Sequence, residues 1–318
     1  MKKKLGIFLF LTFISGAVFS QFDARFSQYM FNNTAHNPAA VGESGMIDLA
    51  LQHRLNWVGI PNAGNTTALS LNSPLKMENS LHGLGLSVTM DEFGFFITQS
   101  FHIQYAYKKR LGEGVLSLGA QAGFVSLTFA GDSVAKHPIT IGEFHNISAD
   151  PEVPTTSVVG NEFDAGVGVW YATKNWYSGL SYLHLNQPTI DWGTNSQLDM
   201  FGMVNLTAGF RHKLINPKYE LKPSMFFRSD FRSFQIEMGS RLEYDNKFWG
   251  GMAYRLQDAV VVMAGMNIAG GLSLGYAFDI PANRLINSSL GSHELVLSYS
   301  FEYVFTKSKT KYKSIRIL

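Results

Sequence analysis

From residue 46 onward the chain alternates apolar and polar residues with a period of two, and hardly anywhere with the 3.6-residue period of a helix. In "MIDLALQHRLNW", Ile47, Leu49, Leu51, Leu55 and Trp57 share one face, and Asp48, Gln52, Arg54 and Asn56 the other. "FITQSFHIQYAYKKR" sets Phe101, Ile103, Tyr105 and Tyr107 against Ser100, His102, Gln104 and Lys108. "SFQIEMGSRLEYD" sets Phe234, Ile236, Met238, Leu242 and Tyr244 against Gln235, Glu237, Arg241 and Glu243. Side chains alternate across an extended strand, so such segments form sheets with one apolar and one polar face.

Fourteen segments of this kind are predicted, at about 46–58, 66–73, 82–92, 95–109, 115–130, 162–173, 175–185, 202–214, 219–231, 233–245, 247–257, 259–268, 271–280 and 293–305. Most have the length a tilted strand needs to cross a bilayer, about 9–11 residues, rather than the five or six of a soluble strand. The connections alternate in length as well. Long ones, 131–161, 186–201 and 281–292, all follow odd-numbered strands, whereas "LGEG", "KN" and "INPK" follow even ones. A transmembrane barrel has short periplasmic turns and long outer loops, so this parity puts the N-terminus on the periplasmic side.

A secreted β-sandwich also alternates, with its apolar face in a core and its polar face in water. Here the polar faces carry charges of both signs at mid-strand, at Asp48, Arg54, Arg228, Glu237, Arg241, Glu243 and Glu302, as a lumen does. The apolar faces end in Trp57, Tyr107, Tyr171, Tyr244 and Phe305, as interfacial girdles do. Charged residues make up only 16% of the chain against roughly a quarter in soluble domains, which suits a surface partly in lipid. The expected fold is an all-β, transmembrane antiparallel barrel of about fourteen strands over 46–305.

Residues 1–20, "MKKKLGIFLFLTFISGAVFS", have the basic start, apolar run and small terminal residue of a secretory signal peptide. Without its three lysines, the basic and acidic side chains nearly balance, so a nucleic-acid partner is not indicated. The chain has no cysteine, which excludes disulfides, thiolate metal sites and a lipidated N-terminal cysteine. Beyond the signal no apolar stretch is long enough for a membrane helix, and only a closed barrel is left to span a bilayer.

Residues 21–45 show no strand alternation but are rich in aromatics, and Phe22, Phe26, Tyr29, Met30 and Phe31 need a surface to bury against. Such a segment fills the lumen as a plug or lies on the periplasmic rim. Residues 306–318 carry five Lys or Arg and read as a basic periplasmic tail, which puts both termini in the periplasm.

"FSQYMFN" at 26–32, "NPAAVG" at 37–42, "HRLNWVGIPNAGNTTALSLNSPL" at 53–75 and "SHELVLSYSF" at 292–301 resemble the PorP/SprF family, outer-membrane proteins of the type IX secretion and gliding apparatus of Bacteroidetes. The resemblance spans both ends of the chain in order. Asn33 and Asn56 depart from the family pattern, in which Pro often follows the Phe-Asn pair and Gln often precedes the Trp. It implies a role with partner proteins: the type IX machinery, a secreted surface adhesin, or both, within outer-membrane lipid. The matching positions are Phe26, Ser27, Gln28, Tyr29, Met30, Phe31, Asn32, Asn37, Pro38, Ala39, Gly42, Arg54 and Trp57. They serve partner contact, or plug folding and barrel closure; the resemblance implies no catalytic role for them.

No catalytic, cofactor or metal constellation emerges. His137 and His145 share the long loop with Asp132, Glu143, Asp150 and Glu152, but without ligand spacing. His293 and Glu294 point to opposite faces, and Ser, His and Asp are too scattered for a triad. "GLGLSV" and "AGGLSLG" lie in predicted strands, where Gly serves close packing rather than phosphate binding. The alternative function is an outer-membrane channel for hydrophobic molecules, of the fatty-acid-transporter kind, which also combines fourteen strands with an N-terminal plug.

Overall fold

The computed structural model describes residues 23–77, 80–131, 154, 156–191, 197–268 and 270–302. The signal sequence, most of the 131–161 connection with His137 and His145, Phe305 and the basic tail lie outside the described residues.

The strands are β1 (Ile47–Leu55), β2 (Asn65–Met77), β3 (Ser80–Phe93), β4 (Phe96–Leu111), β5 (Gly114–Phe129), β6 (Val158–Ala172), β7 (Trp176–Leu183), β8 (Thr189–Asp191), β9 (Gln197–Asp199), β10 (Met203–Phe210), β11 (His212–Lys213), β12 (Tyr219–Ser229), β13 (Phe234–Tyr244), β14 (Phe248–Arg255), β15 (Ala259–Ile268), β16 (Leu272–Pro281) and β17 (Ser292–Phe301). All except β8, β9 and β11 are the fourteen expected strands. Each pairs antiparallel with its neighbour in the chain, and β10 pairs with β12 from Val204↔Ser229 to Gly209↔Ser224. β1 pairs with β17 from Ile47↔Phe301 to Leu55↔His293, and this closes the barrel. Closure removes every sheet edge, the condition for a sheet to sit in lipid.

The faces follow the alternation. On β4 the outward Phe101, Ile103, Tyr105 and Tyr107 are exposed and the inward His102, Gln104 and Lys108 are buried. On β17, Leu295, Leu297, Tyr299 and Phe301 face out while Glu294 and Val296 face in. Tyr107, Tyr171 and Tyr244 stand at the short-turn end, where Tyr171–Trp176, Tyr219–Tyr244 and Tyr299–Phe301 ring pairs continue the belt. Trp57 departs from the expectation: β1 ends at Leu55, and Trp57 turns away at a φ of 40° in the β1–β2 connection. Gly270 and Gly271 form the short turn after the twelfth expected strand, between β15 and β16, at φ of 86° and 87°, and the strand β16 begins at Leu272.

Residues 23–45 lie inside the barrel. The segment turns through three short 3-10 stretches, Tyr29–Phe31, Asn33–Ala35 and Pro38–Ala40. Its course is fixed by its contacts. Asp23 meets His184 and Arg228 beside the long connections, and Gly42 meets Asn72 on the half of β2 nearer the short turns. The segment therefore threads the whole lumen. The termini themselves, both expected in the periplasm, lie outside the described residues; among those described, the threading sets Asp23 and Glu302 at opposite ends of the barrel. The reason is that irregular backbone at membrane depth needs protein partners for its polar groups, and here only the lumen wall supplies them.

Candidate functional site

The lumen is the candidate site, and three features organise it: a charged lock near the long connections, a histidine–carboxylate chain beside it, and an open cavity at the short-turn end.

The lock centres on Ser27. Glu294 of β17 accepts the backbone N–H groups of Ser27 and Gln28 at 2.6 and 2.9 Å, one on each carboxylate oxygen. The Ser27 hydroxyl donates to Asp279 of β16 at 2.7 Å and accepts from Arg54 Nη1 at 2.8 Å and Arg255 Nη2 at 2.7 Å. Around it, Arg54 pairs with Asp279 and Glu294, and Arg255 pairs with Asp279, Glu237 and Asp258. Arg25 of the segment reaches Asp258 at 2.8 Å. Arg54 and Arg255 are 0% exposed, so these charges are sustained by mutual pairing rather than water. Inward positions near the ends of β1, β14 and β16 thus converge on the Ser27 hydroxyl, and one of β17 on its backbone N–H.

Further along, wall side chains satisfy the segment's backbone. Gln52 Nε2 donates to the Gln28 carbonyl at 3.2 Å and Gln104 Nε2 to that of Thr34 at 2.9 Å. Asn72 accepts from the Gly42 N–H at 3.0 Å. Asn37 caps the Pro38–Ala40 turn by accepting from Ala39 N–H, and donates to the Val169 carbonyl. That turn needs flat wall: a Cβ on Gly119 of β5 would lie 2.3 Å from the Ala39 nitrogen. Gly83 and Gly85 of β3 leave room for Val41 in the same way, so "GLGLSV" serves close packing as expected.

Beside the lock, His102 of β4 and His184, just after β7, both approach the buried Asp164 carboxylate of β6, at 2.7 and 3.1 Å. The other ring nitrogen of His184 reaches Asp23 at 3.0 Å. Burial disfavours the His184 imidazolium, but Asp23 and Asp164 outweigh it and push its pKa up to about 10. This chain ties the start of the segment to the opposite wall from the Ser27 lock. It holds no group of three or more residues arranged for a metal among the described residues.

At the short-turn end the segment leaves open a cavity of about 1030 Å³, lined by Phe31, Glu43, Asp48, Lys108, Trp170, Lys174, Tyr177, Arg211, Lys222 and Arg241 among others. Trp170 stacks on Tyr177 at 5.0 Å, and Arg241 lies over the Phe31 ring at 4.4 Å.

Of the motif residues, Phe26, Ser27, Gln28, Tyr29, Asn32, Asn37, Pro38, Ala39, Gly42 and Arg54 are buried, and Met30, Phe31 and Trp57 half-buried. The structure brings Ser27 and Arg54 together and gives nearly all of them partners in the barrel wall. Sequence reading missed Asp23, Arg25, Arg255, Asp258, Asp279 and the His102–Asp164–His184 chain. Their signal was present only as inward-facing charge; nothing local paired them.

The chain matches the description "Type IX secretion system membrane protein PorP/SprF" over residues 18–299. No curated protein matches it. Among solved structures it is similar to a deltaS2S3 mutant of the monoaromatic hydrocarbon channel TodX, with 12% identity, a TM-score of 0.49, and 88% of this chain and 95% of that chain covered. It is also similar to the toluene transporter TodX of Pseudomonas putida, at 13%, 0.47, 86% and 94%. Omp33 of Acinetobacter baumannii matches at 8%, 0.47, 80% and 99%.

Proposed function

The chain belongs to the PorP/SprF family of type IX secretion system membrane proteins, and from that premise we propose that it is a non-enzymatic outer-membrane partner protein supporting export or surface attachment of adhesin-type proteins. The observation that carries this reading is the filled lumen. A barrel whose own segment is fastened at Ser27, Asn37 and Gly42 presents two faces to other proteins rather than a path to a solute. Short turns mark the periplasmic side of such barrels, so Phe301 and the short-turn cavity face the periplasm, and the 186–201 and 281–292 connections face outward. The motif residues then act mainly by holding the plug in place, since most are buried from any partner.

Uptake of hydrophobic molecules is the competing role. The lumen meets such a solute with buried Arg54, Arg255, Asp279 and Glu294 near the long connections, and an apolar molecule among them offers those charges no partner in place of the ones it displaces. The deciding experiment compares surface and secreted proteomes of the wild type and a clean deletion. Loss of one or a few surface proteins identifies a dedicated cargo partner, and loss of all type IX substrates a component of the core machine. Unchanged proteomes would end the secretion reading.

A further inference from the structure

We propose that the short-turn cavity is a docking site for an acidic, extended segment of a periplasmic partner protein. The proposal rests on the orientation and partner role argued above, and adds to them the place and the chemistry of contact.

The cavity wall is unbalanced in charge. Lys108, Arg110, Lys174, Arg211, Lys222 and Arg241 line it against Glu43, Asp48 and Glu113. Of the six cations only Lys222 forms an ion pair within 4 Å among the described residues, with Glu243 and Glu220. Lys108 is only 7% exposed and Arg241 rests on aromatic rings, while Arg110, Lys174 and Arg211 ring the mouth in solvent. Cations held in a concave, partly dry space focus a positive potential that attracts an anionic ligand more strongly than a flat basic surface does. Phe31, Trp170 and Tyr177 supply apolar contact deeper in.

Charge and position select among occupants. Lipid headgroups lie outside the barrel and do not reach a cavity enclosed by it. A second copy would present its own basic mouth. The chain's tail after Phe305 carries five Lys or Arg and is repelled by the same wall. With about 1030 Å³ available, the cavity takes several residues of extended chain rather than a folded domain.

The test uses the full-length protein in detergent and a fluorescent peptide of about ten alternating Glu and Asp residues, with a Gln/Asn peptide as control. The acidic peptide binds at low salt and weakens as salt rises. Arg110→Glu, Lys174→Glu and Arg211→Glu combined weaken it about tenfold or more, whereas Lys109→Glu with Lys247→Glu, on the rim but not lining the cavity, does not. Removal of the residues after Glu302 leaves the affinity unchanged. No binding, equal binding of the neutral peptide, or equal loss in both charge-reversed proteins overturns the proposal. So does a tenfold gain on tail removal, which makes the tail the occupant. If the deletion strain loses surface proteins while the peptide fails to bind, the docking site falls and the secretion role stands. The opposite pair of results leaves the site and removes the role.

Discussion

Glu294 and Ser27, 267 residues apart in the chain, meet where the Glu294 carboxylate accepts the Ser27 backbone N–H at 2.6 Å. The same carboxylate takes the Gln28 N–H and lies 3.3 Å from Arg54. Replacing it removes the acceptor for two backbone donors and leaves a buried guanidinium short of a partner. Glu294→Ala is expected to destabilise the folded barrel by about 3 kcal/mol. Urea titration of protein refolded in lipid vesicles measures this, and an unchanged midpoint would refute the lock.

The plug and the barrel wall are separable at Gly119. A side chain there collides with the Ala39 backbone, yet the β4–β5 and β5–β6 ladders do not involve that side chain. Gly119→Val is expected to cost about 1–3 kcal/mol and to dislodge the Pro38–Ala40 turn while the barrel stays closed. Planar-bilayer recording then shows conductance that the wild type lacks, with the gel mobility shift of a folded barrel retained. If conductance stays at the wild-type level, that turn does not seal the lumen.

The His184 links make the start of the segment sensitive to alkali. With its pKa raised from the ordinary value of 6.5 to about 10, the imidazolium contributes stability fully below about pH 6.5, and that contribution is lost as pH rises towards 10. The groups facing it are Asp23 and Asp164, with Arg228 and His102 behind them. The urea midpoint of the wild type is therefore expected to fall between pH 6.5 and 10 by more than that of His184→Gln. Parallel pH curves for the two proteins would show that His184 is not charged in the folded state.

What the sequence made legible follows from distance along the chain. Alternation is a property of neighbours, so all fourteen strands and the lipid-facing side of each could be read directly. Arg54 and Glu237 could be placed on the lumen face for the same reason. The lock could not, because Arg54 meets Asp279 across 225 residues and no local pattern records which inward charges share a site. The path of residues 23–45 was equally hidden. Its aromatics announced burial, but the surface that buries Tyr29, Phe226 stacked on its ring, and the wall left flat for Ala39 by Gly119 come from distant strands. Trp57 was misplaced because alternation runs on past Leu55, while the positive φ that turns the residue out of the strand leaves no mark on a non-glycine position.

Orientation makes the most direct prediction in cells. The chain has no cysteine, so a single introduced thiol reports its own surroundings. Asn287 lies in the β16–β17 connection at the long-connection end, and Glu113 in the β4–β5 turn at the other. With short turns in the periplasm, Asn287→Cys is expected to react on intact cells with a membrane-impermeant maleimide, and Glu113→Cys only after the outer membrane is permeabilised. A third thiol tests the threading of the segment. Ala24→Cys sits near the long-connection end within the lumen, so with the same orientation it is expected to react slowly from outside, and faster once Glu294→Ala loosens the lock beside it. If Ala24→Cys instead reacts only after permeabilisation, at the rate of Glu113→Cys, the segment enters from the periplasmic mouth, and the order of contacts from Asp23 to Gly42 would have to be reversed relative to the membrane.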